Sequence, residues 1–175
     1  MSLAAGHPFS ALTDVYNAAL DFVAAAAFNV DAEDGTTNAQ IQILSATESL
    51  SLSPDIEQPA NFPNAPRPPR LDAIVTLTES LAAARGPFGR THHWFMRQKR
   101  YMRDARAYKE ELITDALDKG IHRLSKRGSQ KSCAVDFILQ REHDIAQKES
   151  RTPTYKARAI YDEVRMASDY ISVPY

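Results

Sequence analysis

With 175 residues, 43% hydrophobic and 25% charged, the chain is long enough for one domain burying about 70% of its unfolded surface, and it has no apolar run near the roughly 20 residues that span a bilayer. Met1 to Ser10 has neither the basic nor the apolar region of an export signal, and the lone Cys133 excludes an internal disulfide framework and suits a reducing compartment, so a cytoplasmic setting is expected. The net charge of -1 hides a split, because residues 1–84 carry only Arg67 and Arg70 against ten acids while residues 85–175 carry nineteen bases against twelve acids; such halves are expected to face one another in the fold.

Leu12, Tyr16, Leu20, Val23 and Ala27 share one face at helical spacing in an Ala-rich run, which predicts a helix over 12–28. Asn29 to Gly35 breaks it. Thr37 with Gln40 three residues on has the form of a capping box, opening a shorter helix that runs to about Leu50. Residues 51–70 hold six of the ten prolines, so this stretch is read as a Pro-rich loop. Leu71, Ile74, Leu77 and Leu81 then form a stripe ending at Arg85-Gly86-Pro87, a helix stop. After the turn Gly86 to Gly89, the spacing of Met102, Ala105, Leu112, Ile113, Ala116, Leu117, Ile121 and Leu124 predicts one long helix over 94–124, closed by Arg127-Gly128-Ser129. Ser132 is placed as the cap of the next helix, whose apolar face is Val135, Ile138, Leu139 and Ile145. Thr152-Pro153 ends that helix, and a last one starts near Lys156. No alternating strand pattern and no repeat of fixed period is present. The fold class is mostly α, in a single domain.

Few constellations carry chemistry. Cys133 could act as a nucleophile or metal ligand, with Lys131 lowering its pKa, but neither a histidine nor a second cysteine lies close in sequence, and a small, partly buried helix residue is the reading adopted. Adjacent His92 and His93 point in different directions and cannot form a two-on-one-face zinc pair, so a turn with one ring against Trp94 is expected; His7, His122 and His143 are isolated. Glu111, Asp115 and Asp118 form a row at helical spacing, with Lys119 and Arg123 placed to pair with them on a solvated face. Arg97, Lys99, Arg100, Arg103 and Arg106, interleaved with Phe95, Tyr101 and Tyr108, could meet phosphates and bases; between Arg85 and Lys109 eight bases face only Asp104. No nucleic-acid-binding signature accompanies them, so packing ranks above nucleic-acid binding. These residues assign no catalytic, cofactor-binding or metal site.

The last third, Ser132 to Glu163, reading SCAVDFILQREHDIAQKESRTPTYKARAIYDE, resembles the segment of fungal cytochrome P450 enzymes, the haem-thiolate monooxygenases, that leads into their long central helix. The resemblance extends from about Phe9 to Glu163. FSALTDVYNAALDFVAAAAFNVD is similar to the helix before the substrate-roof region, with Asn29 where a glycine is common, and the stretches 71–85 and 94–124 are similar to the two roof helices. After Glu163 the similarity stops, which divides the chain into a family-like part, 1–163, and a divergent tail, 164–175; a retained intron or a shifted reading frame would generate such a tail. The resemblance implies an incomplete piece of the family's helical fold, and a parent family that oxidises lipophilic small molecules with O2, haem and electrons from a flavoprotein reductase and is anchored in the endoplasmic reticulum membrane. It carries no site residue across, because the Phe-x-x-Gly…Cys-x-Gly loop, the Glu-x-x-Arg pair and the Asp/Glu-Thr-Thr motif are not in this sequence. The chain alone is therefore expected to be inactive, with its apolar stripes short of a central helix to pack on and its melting broad. The alternative, from a different class, is an independent helical interaction module whose basic helix binds an anionic partner.

Overall fold

The computed structural model describes residues 6–47, 52–83, 88–126 and 131–170. These form seven α-helices and a short 3-10 turn, with no strand among the described residues: α1 (Leu12–Phe28), the turn (Ala32–Asp34), α2 (Thr36–Ala46), α3 (Pro69–Ala83), α4 (Gly89–Gln98), α5 (Arg100–Ser125), α6 (Ala134–Lys148) and α7 (Arg158–Tyr170). The chain is mostly α, as its periodicity implies.

Helix α1 keeps its expected bounds but buries a different stripe. Asn17, Leu20, Ala24, Ala27 and Phe28 face the core, whereas Leu12 and Tyr16 lie outside it, 78% and 47% exposed. The helix stops at Asn29, which takes a left-handed conformation (φ 56°) while its N–H bonds to the Ala25 carbonyl. Asparagine is among the few residues besides glycine that tolerate this conformation, so it can close the helix where a glycine is more usual.

The expected capping box of α2 does not form. Its N-cap residue is Gly35, and the first turn is capped from α1: Asp21 accepts bonds from the Thr36 N–H (2.7 Å), the Thr36 hydroxyl (2.8 Å) and the Thr37 N–H (2.7 Å). Burial works to raise the Asp21 carboxyl pKa, but the bonds from Thr37 and Thr36 outweigh it and hold the pKa below its ordinary value. Gln40 is released for another task. Its amide donates to the Pro63 carbonyl (2.9 Å) and accepts from the Ala65 N–H (2.8 Å), so one buried side chain clamps the Pro-rich loop on both sides of its last bend.

Helix α3 starts at Pro69, where a missing N–H costs nothing. Its buried face is Leu71, Ile74 and Val75, while Leu81 is 51% exposed. The stop signals at Arg85-Gly86-Pro87 and Arg127-Gly128-Ser129 lie outside the described residues, as do the last residues expected of the second helix, 48–50.

The single long helix over 94–124 is two helices. Lys99 takes an extended conformation (ψ 145°) and separates α4 from α5. No proline or glycine marks the break. It lets α4 turn aside and lie against both α3 and α5, a tertiary demand that local propensity does not carry.

Helix α5 is the hub, packing on α3, α6, α4, α1 and α7. One core joins Leu20 and Phe28 of α1, Leu71 and Ile74 of α3, Leu112, Ile113 and Leu117 of α5, Val135 and Leu139 of α6, and Ile160 and Val164 of α7. The stripes therefore find partners within the chain, chiefly on α5, with the last helix joining through Ile160 and Val164. Helix α7 crosses Glu163 without a break, and Val164 is fully buried. Where α5 meets α6 the approach is close at Gly120, since a Cβ there would stand 2.6 Å from Leu139 Cδ1.

Ser132 is not the acceptor cap expected of it. The N-cap residue of α6 is Cys133, and both the N–H and the hydroxyl of Ser132 donate to Asp136 Oδ2 (3.0 Å each). The buried positions of α6 are Val135, Asp136, Leu139, Glu142 and Ala146, while Ile145 lies at the surface. The helix ends through Ser150 in a left-handed conformation (φ 54°), with the Arg151 N–H bonded to the Ala146 carbonyl, two residues before Thr152-Pro153.

Candidate functional site

Where the end of α1, the 3-10 turn, α2, the start of α3 and the middle of α5 come together they leave a cleft of about 560 Å³, within the range of small-molecule sites. Core residues form its floor: Phe28, Leu71, Leu112 and Ala116 are each less than 5% exposed. Pro68 and Pro69 stiffen one edge, and Asn29, Asn38 and Gln42 supply amides at the rim.

Glu111 and Asp115 of the carboxylate row of α5 open onto this cleft and are neutralised from α3 and, as the sequence spacing implies, by Lys119 of their own helix. Arg70 of α3 spans Glu111 (Nη2 to Oε1, 2.6 Å) and Asp115 (Nη1 to Oδ2, 3.1 Å), and Lys119 adds a second cation to Asp115 at 3.3 Å. The bond to Glu111 is the main reason the Arg70 pKa is raised. Asp118 does not join them; it pairs with Lys156 at 2.6 Å. The expected partner Arg123 also goes elsewhere. Its guanidinium lies in a fork against the buried Asp136, with Nε 3.0 Å and Nη2 2.7 Å from Oδ1. Arg70, the residue that organises the row, is one of only two bases in the acidic half, and its position just inside a helix start after Pro68-Pro69 is the sequence signal that could have found it. The pairing of the two halves thus runs opposite to expectation at this seam, a base of the acidic half meeting acids of the basic half.

The other candidates are scattered. Cys133 is 2% exposed with the Arg123 Nη2 at 3.5 Å from its sulfur, and burial pushes its thiol up, so it is an inert core residue. Lys131 does not act on it but lies over the Phe137 ring. His143 bonds the Tyr155 hydroxyl (2.8 Å) and stacks on its ring, His7 Nδ1 lies 3.0 Å from the Gln58 carbonyl, and His122 is at the surface. His92 and His93 lie on α4, where the ring against Trp94 is that of Phe95, edge-on at 4.9 Å between centroids. No group of three or more metal-ligating side chains occurs among the described residues.

Of the basic set, Arg100 pairs loosely with Asp104 (3.7 Å) and Lys99 lies over the Tyr101 ring. The pKa of Arg106 is lowered, first by burial and then by repulsion from Arg97 and Arg165, and Arg165 itself pairs with Glu110 (3.8 Å). At that corner Tyr161 of α7 donates to Glu110 Oε2 of α5 at 2.7 Å and lies 3.2 Å from the Thr114 hydroxyl. Arg141 and Glu163 join α6 to α7 by an ion pair.

Comparison with known proteins adds a distant relationship. Over 173 residues the chain is 24% identical to cytochrome P450 monooxygenase TRI13 of Fusarium sporotrichioides, an alignment covering 93% of this chain and 29% of that enzyme. The chain thus spans less than a third of the length of the relative it matches. No family model matches it, and no solved structure does. A relationship to the cytochrome P450 enzymes is what the similarity supports. No helix among the described residues is long and apolar enough to cross a membrane.

Proposed function

We propose that this chain is a helical segment of a cytochrome P450-type monooxygenase, running from the helix before the substrate roof, through the roof helices α3 and α5, to the entry of the central helix at α7. The observation that carries the reading is the similarity to the Fusarium enzyme along nearly the whole chain, loop and helices alike. In such an enzyme the bound haem activates O2 and a flavoprotein supplies electrons; this segment contributes walls that shape access for a lipophilic substrate. The residues present do not fit the haem. A thiolate ligand must be ionised and must face the iron, whereas Cys133 is buried at the N-cap of α6, held in the thiol form by burial and backed by the Arg123–Asp136 pair. No catalytic step is assigned to this chain by itself.

Two measurements test the reading. The purified 175-residue chain, supplied with haem and reduced under carbon monoxide, is expected to lack the absorption band of a thiolate-ligated haem. Sequencing the message across and beyond the codons for Glu163 to Tyr175 is expected to recover a frame with an Ala-Gly-x-Asp-Thr-Thr-like motif and a Cys-containing haem loop. A thiolate-type band from the chain alone, or messages that all lack both motifs, would overturn the proposal.

A second reading, that the corner of α4 and α5 meets an anionic partner, draws on the exposure of Arg97, Lys99, Arg100 and Arg103 there. It requires binding of nucleic acid at low salt that weakens with a log–log slope of about -0.9 per neutralised phosphate and is abolished by Arg100→Glu with Arg103→Glu. Retention of that variant's binding, or none by the parent chain, sinks it.

A further inference from the structure

The cleft between α1, α2, α3 and α5 has a charge distribution that its packing does not require. On the α5 side the ions are matched: Glu111 and Asp115 face Arg70 and Lys119, at 2.6–3.3 Å. Glu33 and Asp34 of the 3-10 turn, both exposed, also line the cleft, and their carboxylates have no described hydrogen bond or ion pair. The imbalance is thus two negative charges, both on one wall. Between the walls the floor is apolar, built from Phe28, Leu71, Leu112 and Ala116, and the Tyr108 ring stands at the mouth, 41% exposed.

We propose that this cleft binds a small organic cation, an aliphatic or aromatic amine whose apolar body lies on the Phe28–Leu112 floor and whose ammonium sits between the Glu33–Asp34 wall and the face of Tyr108. Charge complementarity selects this occupant. A neutral apolar molecule would use the floor but leave the acidic wall unmatched, and a carboxylate or phosphate would be repelled by it. An ammonium gains attraction from the carboxylates and from the negative face of the tyrosine ring together. Much of the cleft is fixed before binding: Pro68 and Pro69 hold one edge, Gln40 holds the loop that leads into it, and the cap from Asp21 fixes the first turn of α2. Little ordering is left for the ligand to drive.

Three probes with one apolar body and different heads test it on the full chain: 4-phenylbutylammonium, 4-phenylbutanol and 4-phenylbutyrate, titrated by ligand-observed nuclear magnetic resonance. The amine is expected to bind saturably, about fivefold or more tighter than the alcohol, with the carboxylate weakest and the amine's advantage shrinking as salt is added. Glu33→Gln with Asp34→Asn should erase the difference between amine and alcohol while leaving the alcohol unchanged, and Tyr108→Leu should reduce it. Asp55→Asn with Glu57→Gln, a pair of exposed acids away from the cleft, should preserve it. Far-ultraviolet circular dichroism checks that each variant keeps its helix content. Absence of saturable amine binding, equal affinity for amine and alcohol, or an amine preference that survives in both cleft variants overturns the proposal.

Discussion

Glu142 shows how a single side chain can make stability follow pH. It accepts from both arms of Arg151 (2.6 and 3.2 Å) and from the N–H and hydroxyl of Thr154 (3.0 and 3.2 Å), binding the end of α6 to the strap that leads into α7. The Arg151 bond first, and then that from the Thr154 N–H, hold its pKa down at about 2 against an ordinary 4.5. A carboxyl depressed in the folded state contributes stability that is complete above its unfolded pKa and is lost as pH falls toward the folded one. Asp21 and Asp136, also lowered, act with the same sign. The thermal midpoint should therefore fall on acidification through about 4.5 to 2, and Glu142→Gln should lower it at neutral pH while making that acid slope shallower. A variant with an unchanged slope, followed by circular dichroism melts, would remove Glu142 from the account.

At the scale of the helices, what the chain encodes locally could be read from it and what it encodes between elements could not. The 12–28 helix was legible because alanines and a periodic stripe agree over its whole length. The face it buries was not, because α1 has apolar residues on two sides and only the position of α5 decides between them. Thr37 and Gln40 match a capping box in type and spacing, but the cap arrives from Asp21, 15 residues earlier, by a contact that no local pattern contains. The break at Lys99 is invisible for the same reason, and for Arg70 the sequence marks the residue but not the carboxylates it grips. Asp21 now carries a prediction of its own: Asp21→Ala removes three bonds from the first turn of α2 and should cost about 1–2 kcal/mol, the usual range for a lost cap. Gly35→Ala should act in the same direction, since a Cβ at Gly35 would lie 2.9 Å from Asp21 Oδ2 and push the cap aside. Equilibrium denaturation of both variants measures this, and an unchanged midpoint for Asp21→Ala would show that water caps α2 equally well.

For the whole molecule the decisive contrast lies between a core that closes on α5 and an outer face of α1 that nothing among the described residues covers. Leu12, Val15 and Phe22 are 78%, 64% and 74% exposed and fall on one side at helical spacing. At about 25 cal/mol per Å², covering 400 Å² of such surface yields roughly 10 kcal/mol before the costs of association. The isolated chain should therefore self-associate, its weight-average mass in sedimentation rising with concentration, and Leu12→Glu with Phe22→Lys should hold it monomeric at unchanged helix content. A parent chain that stays monomeric throughout would show that this face is tolerated by water. The fold class was legible at this scale because no stretch alternates with period two. The cleft was not, because its walls come from five separate elements and its central ion pairs join Arg70 to residues more than forty positions away.

The central place of α5 also sets an order of events during synthesis. Leu20 and Phe28 of α1 and Leu71 and Ile74 of α3 share a core with Leu112, Ile113 and Leu117, which leave the ribosome last among them. At about 5–20 residues per second, the interval between the emergence of Phe28 and the completion of α5 is on the order of ten seconds. Through that time the apolar faces of α1 and α3 lack their partner, and the acidic charge concentrated in residues 1–84 opposes association between neighbouring unfinished chains.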